Sequence, residues 1–66
     1  MTRFTALNKL VYHLTLALRH ATILEDRIGG GALPADRSAM LVLLLKDLVE
    51  ADQCIKTYVN LEKEQS

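Results

Sequence analysis

The chain has 66 residues, 50% of them hydrophobic and 24% charged, so it forms one small domain at most and is too apolar for a disordered segment. Eight basic and eight acidic residues give a formal net charge of zero, which offers no electrostatic footprint for nucleic acid or anionic lipid. The single cysteine excludes an internal disulfide. No signal-peptide pattern follows Met1, and the longest apolar run, 39–45, falls well short of a bilayer span of about 20 residues. We therefore expect a cytoplasmic chain.

The first predicted element is a helix over about residues 3–28. Its apolar residues recur at alternating spacings of three and four, which are the a and d positions of a heptad. Thr2 or Thr5 can cap its start, and Arg27 suits the negative end of its dipole. The predicted a and d residues are Leu7, Leu10, Leu14, Ala17, Ala21, Leu24 and Ile28.

A glycine-rich turn over residues 29–33 interrupts this pattern. Three consecutive glycines are costly inside a helix, and Gly29 suits the first position beyond a helix end. The run lacks the lysine and the Ser/Thr of a phosphate-binding loop. It is therefore predicted to be a connection between two helices.

The second predicted helix covers about residues 34–62, with Pro34 at its first position and a polar tail over 63–66. Its a and d residues are Leu41, Leu44, Leu48, Ala51, Ile55 and Tyr58. A short connection between two long helices favours antiparallel packing. The predicted fold is all-α, a single antiparallel two-helix hairpin over residues 1–66 with coiled-coil-like packing.

Each helix carries more apolar residues than one seam needs, because the apolar arcs extend over about 200°. The surplus predicts a protein-binding face, which either a second copy of the chain or a different protein could cover, and the two alternatives are not exclusive. The candidate partner-binding residues are Val11, Leu18, Val42, Leu45 and Val49. The opposite flank, with Leu16 and Ile23 beside His13 and His20, is the less favoured face.

No arrangement typical of catalysis is found in the sequence. His13 and His20 are seven residues apart, about 10 Å along a helix, which is too far to share one metal ion. They are predicted to lie at the rim of an interface. Acidic neighbours such as Asp52 make Cys54 a poor nucleophile, so it is predicted to fill space at a g position. We expect no catalytic residue, no metal, no cofactor and no small-molecule substrate.

Three stretches of the chain resemble a known family. They are the opening at 1–10, the glycine turn after Leu24-Glu25-Asp26-Arg27, and the leucine-rich segment at 43–55. Together they are similar to the small co-chaperones of bacterial type III secretion needle subunits, the YscE/PscE/SsaE-like family. The resemblance covers most of the chain and includes no diagnostic motif. It implies a short cytoplasmic helical hairpin without catalytic residues.

The resemblance also implies partners. Such co-chaperones bind a tetratricopeptide-repeat (TPR) chaperone, and the pair keeps the needle subunit unpolymerised. The alternative function is a small helical inhibitor or anti-activator, of the kind that phages and plasmids encode, which occludes a regulatory protein. A Rop-like dimer that binds RNA is disfavoured, because the outer faces carry only Arg19, Lys46 and Lys56 as basic residues.

Overall fold

The computed structural model describes residues 1–31 and 33–65, with Gln65 described in its backbone alone. Two helices, α1 (Arg3–Gly29) and α2 (Pro34–Gln65), pack antiparallel as a rod of 51 × 14 × 13 Å. The predicted all-α hairpin is confirmed. Helix α2 runs three residues beyond its predicted end, so 63–65 are helical. Ala32 of the predicted turn and Ser66 of the predicted tail lie outside the described residues.

The ends of the helices follow from local chemistry. Thr2 caps α1, because its hydroxyl oxygen accepts a hydrogen bond of 3.0 Å from the amide of Thr5. At the other end the helix includes Gly29, one residue further than predicted, and Gly30 is its cap. Gly31 has a φ of 79°, a left-handed conformation that glycine adopts at little cost. Helix α2 begins at Pro34 as predicted, where the missing N–H is not needed.

The side chains that are buried in the seam between the helices are few and mostly small. Only four hydrophobic residues are buried among those described, and no large side chain is fully buried. These four are Ala6, Ala17, Met40 and Ala51. The seam also contains half-buried side chains at heptad spacing, which are Leu10, His13, His20 and Leu24 on α1 and Leu44, Cys54, Tyr58 and Leu61 on α2. Small seam residues let two backbones approach closely, but each contributes little apolar area.

The predicted heptad core is therefore wrong in its rotation. Leu14 and Leu48, which were expected to close the hairpin, are each 47% exposed, and Ile55 is similarly exposed. Half of the predicted residues, such as Ala17 and Ala51, do lie in the seam. Most of the other predicted residues lie one position after a seam residue. The physical reason is that a 200° apolar arc allows several sectors to pair, and this hairpin pairs the sector with the smaller side chains.

Candidate partner-binding face

Both helices expose a large aliphatic residue directly after most of their seam residues. Leu7 follows buried Ala6, Leu18 follows buried Ala17, and Leu41 follows buried Met40. We call this set the leucine face. Its members range in exposure from 40% at Leu7 to 69% at Leu18. The leucine face consists of Leu7, Val11, Leu14 and Leu18 on α1 and Leu41, Leu45, Leu48, Ile55 and Val59 on α2.

These residues form one surface. A step of one residue turns about 100° around a helix, always in the same sense when the helix is viewed from its N-terminus. The two helices run in opposite directions, and they also lie on opposite sides of the seam. The two reversals cancel, so residues that follow the seam emerge on the same side of the hairpin. The result is an apolar face along much of the rod, interrupted on α2 by Asp52, which directly follows buried Ala51. Monomers rarely leave a large apolar patch uncovered.

The five candidate partner-binding residues are all exposed, but they do not share one face. Val11, Leu18 and Leu45 belong to the leucine face. Val42 and Val49 each lie two residues beyond a buried position, so they point about 200° from the seam, along the outer side of α2. The structure thus brings three of the five together.

The less favoured flank is smaller. Leu16 and Ile23 are half-buried rather than exposed. Its two histidines, predicted to lie at a rim, are instead in the seam. Of the two sides of the hairpin, the leucine face presents the greater apolar surface.

A polar pair crosses the middle of the seam. The carboxylate of Asp47, whose residue is 7% exposed, lies 2.5 Å from Nδ1 of His20. The sequence analysis did not place Asp47 in the seam and therefore missed this pair. A usable signal was the heptad spacing, since Asp47 stands seven residues from Met40 and from Cys54. A satisfied pair of this kind fixes which residues meet across a seam.

His13 lies one heptad away from this pair, beside Cys54. The two side chains line a cavity of about 290 Å³, together with Lys9 and Glu50. Nδ1 of His13 is buried and has no hydrogen-bond partner within the described ranges, and the ring makes a T-shaped contact with Tyr12. A second cavity of about 330 Å³ lies near the turn, between Leu24 and Leu41. Both are open clefts along the seam.

The described side chains have no cluster of three or more His, Cys, Asp or Glu that could hold a metal ion. Neither helix, over the part that the structure describes, has the length and apolarity needed to cross a bilayer.

Charged contacts secure the end of the rod away from the turn. Arg3 donates to Glu62 at 3.2 Å, which joins the start of α1 to the last turns of α2. Hydrogen bonds from Tyr58 first, and then from Arg3, lower the pKa of Glu62. The same contact with Glu62 raises the pKa of Tyr58. Since Arg3 and Glu62 are exposed, their ion pair aligns the helix ends and adds little stability.

An ion pair lies at the edge of the leucine face on α2, because Asp52 directly follows buried Ala51. Lys56 lies 2.8 Å from Asp52, one helical turn before it, and the hydrogen bond and charge of Asp52 raise the pKa of Lys56. These two residues interrupt the apolar pattern of α2 near Ile55. Their charges neutralise each other, so they leave little net field beside the leucine face.

Comparison of the chain with protein-family models, with curated proteins and with solved structures gives no significant match.

Proposed function

We propose that this chain is a non-enzymatic protein-binding module, and specifically a cytoplasmic co-chaperone that docks on a TPR chaperone and helps keep a type III secretion needle subunit unpolymerised. The observation that carries the binding role is the leucine face, where nine aliphatic side chains lie exposed along one side of a rigid rod. The co-chaperone role rests in addition on the sequence resemblance.

The shape of the hairpin suits such a partner. Helical-repeat proteins form extended concave surfaces, and an amphipathic helix pair can place its apolar side in such a groove. A face with Leu18 and Leu45 near its middle would supply the buried aliphatic anchors of the interface. The polar residues along the outer side of α1, such as Asn8 and Arg19, would stay in solvent.

The proposal is tested by co-expression with a TPR chaperone encoded beside this chain and with the needle subunit. Leu18→Asp should abolish co-purification while far-UV circular dichroism stays helical, since Leu18 is exposed in the free hairpin. Asn8→Asp is the matched control, because it adds the same charge to the outer side of the same helix. Loss of an aliphatic anchor at an interface centre weakens affinity by about tenfold to several hundredfold.

The inhibitor or anti-activator hypothesis makes a different prediction for the same variants. The captured protein would then be a transcriptional or other regulator, and addition of the chain would reduce that regulator's activity. Retained needle-subunit solubility in the Leu18→Asp strain would contradict the co-chaperone role, whichever partner is captured.

A further inference from the structure

The predicted a and d residues of each helix do not point directly at the other helix of the hairpin. Half of them lie in the seam and half are displaced by one residue, or about 100°, toward the leucine face. On α1, for example, Leu10 and Ala17 are in the seam, whereas Leu7 and Leu14 follow seam residues. The mean direction of the heptad series is therefore rotated from the seam by about 50° toward the leucine face, on both helices.

A rotation of about this size is what a four-helix bundle requires. In a square bundle, the bundle axis lies about 45° from the line that joins a helix to its neighbour. A heptad series rotated by 50° therefore faces the axis of a four-helix bundle in which this hairpin supplies two neighbouring helices. The remaining two helices must be about as long as α1 and α2 to cover the face.

The accessible surface area also indicates that the hairpin leaves a face to be covered by further helices. The hairpin exposes 4985 Å², whereas a compact protein of its mass exposes about 4,200 Å². A compact protein of twice that mass exposes about 7,000 Å², so two hairpins packed side by side would bury about 3,000 Å² in total. That area lies within the range of about 2,000–5,000 Å² that obligate homodimers bury.

We propose that the leucine face is covered by a second copy of this chain, which gives a homodimeric four-helix bundle. A second copy supplies two helices of the required length with the same rotated heptads. The formal net charge of zero avoids repulsion between copies, and the pairing of Asp52 with Lys56 keeps local charge low. A twofold axis through the face would make it self-complementary, so each contact between aliphatic side chains of the two copies occurs twice.

The dimer does not depend on the proposed function, since it follows from the hairpin alone. The dimer does add a step to the proposed function, which precedes partner binding. Val11, Leu18 and Leu45 belong both to the proposed dimer interface and to the proposed partner site. A partner that binds there must therefore displace the second copy, so the observed binding rate should rise less than in proportion to the concentration of this chain.

The test is sedimentation equilibrium of the purified chain at micromolar concentration. The expected mass is twice the chain mass of 7.4 kDa, and the melting temperature should rise with protein concentration. A monomer whose melting temperature is independent of concentration would overturn the dimer. That result would leave the proposed function standing, because a different protein could still cover the face.

Two variants of α2 distinguish dimerisation through the leucine face from nonspecific hydrophobic association. Leu48→Lys places a charge on the bundle side and should weaken dimerisation by about 30-fold or more. Val42→Lys places the same charge on the outer side of α2. Val42 is 65% exposed, whereas Leu48 is 47% exposed. Val42→Lys should leave the dimer constant within about threefold.

Greater weakening by Val42→Lys than by Leu48→Lys would overturn the proposed interface. If Leu48→Lys loses its helicity, Leu48→Ala replaces it with the same expected order of effects. A wild-type mass above that of a dimer would also contradict the four-helix arrangement.

Discussion

The two apolar surfaces of this hairpin differ in what they are built from. The seam buries three alanines, a methionine and Asp47 and holds larger side chains such as Leu10 and Leu44 half-buried, whereas the leucine face contains nine exposed aliphatic side chains. The seam thus uses shape and a polar contact to bring the helices together in one register. The nine side chains of the leucine face leave much apolar surface exposed on one side of the hairpin. A small helical chain can therefore hold its own shape with a weak core and keep its strongest apolar surface for association.

The largest expected effect comes from a charge in the seam. Ala17 is 6% exposed, so Ala17→Asp would bury an unpaired carboxylate at a cost of about 3–5 kcal/mol. That equals the whole stability expected of so small a core, about 3–5 kcal/mol. We expect loss of the helical circular dichroism signal.

Leu18→Asp is the matched comparison, one residue further along α1. Its carboxylate would project from the leucine face of the separate hairpin into solvent, so the variant should weaken the dimer while each hairpin stays helical. If the two variants lose helicity equally, the seam and the leucine face are not distinct surfaces.

The polar pair should give the next largest effect. His20→Ala leaves the carboxylate of Asp47 buried without its partner, and such a group costs about 1–3 kcal/mol. Urea unfolding should show this loss. Replacing both residues with leucine should cost much less, because no unpaired polar group remains. A double variant that is less stable than His20→Ala would contradict this account of the seam.

The smallest effect concerns the exposed end of the rod. Glu62 has its pKa lowered in the folded chain, chiefly by the hydrogen bond from Tyr58. Its contribution to stability is thus present above its unfolded pKa and is lost as pH falls through its folded pKa. Tyr58→Phe should raise the pKa of Glu62 toward its ordinary value in an NMR titration of the carboxyl carbon.

Arg3→Gln should raise that pKa less, since glutamine keeps a hydrogen-bond donor and removes only the charge of Arg3, which is the smallest of the causes. The opposite order would mean that Arg3, rather than Tyr58, is the main partner of Glu62.

The elements of the fold could be predicted because their signals are local. Thr2, the glycine run and Pro34 mark helix ends through backbone chemistry that does not depend on the rest of the molecule. The antiparallel arrangement follows from the short connection. The exposure of Val11 and Leu18 was also predicted, since any single seam leaves part of a 200° arc uncovered.

The rotation of the helices could not be predicted in the same way. The heptad pattern identifies the centre of the apolar arc, and the prediction placed that centre against the neighbouring helix. In the hairpin the seam lies at one edge of the arc, where Ala6 and Ala51 permit close approach and Asp47 finds His20. That choice depends on contacts between residues far apart in sequence.

Thiol trapping tests the rotation most directly, because Cys54 is already in the seam. His13 and Cys54 stand one heptad from His20 and Asp47, so they are equivalent positions across the seam. Under mild oxidation His13→Cys should form an intramolecular disulfide with Cys54, detected as a mass loss of two hydrogens in the monomeric chain. Leu14→Cys, on the leucine face, should form none within the chain. Ring closure by Leu14→Cys but not by His13→Cys would contradict the account.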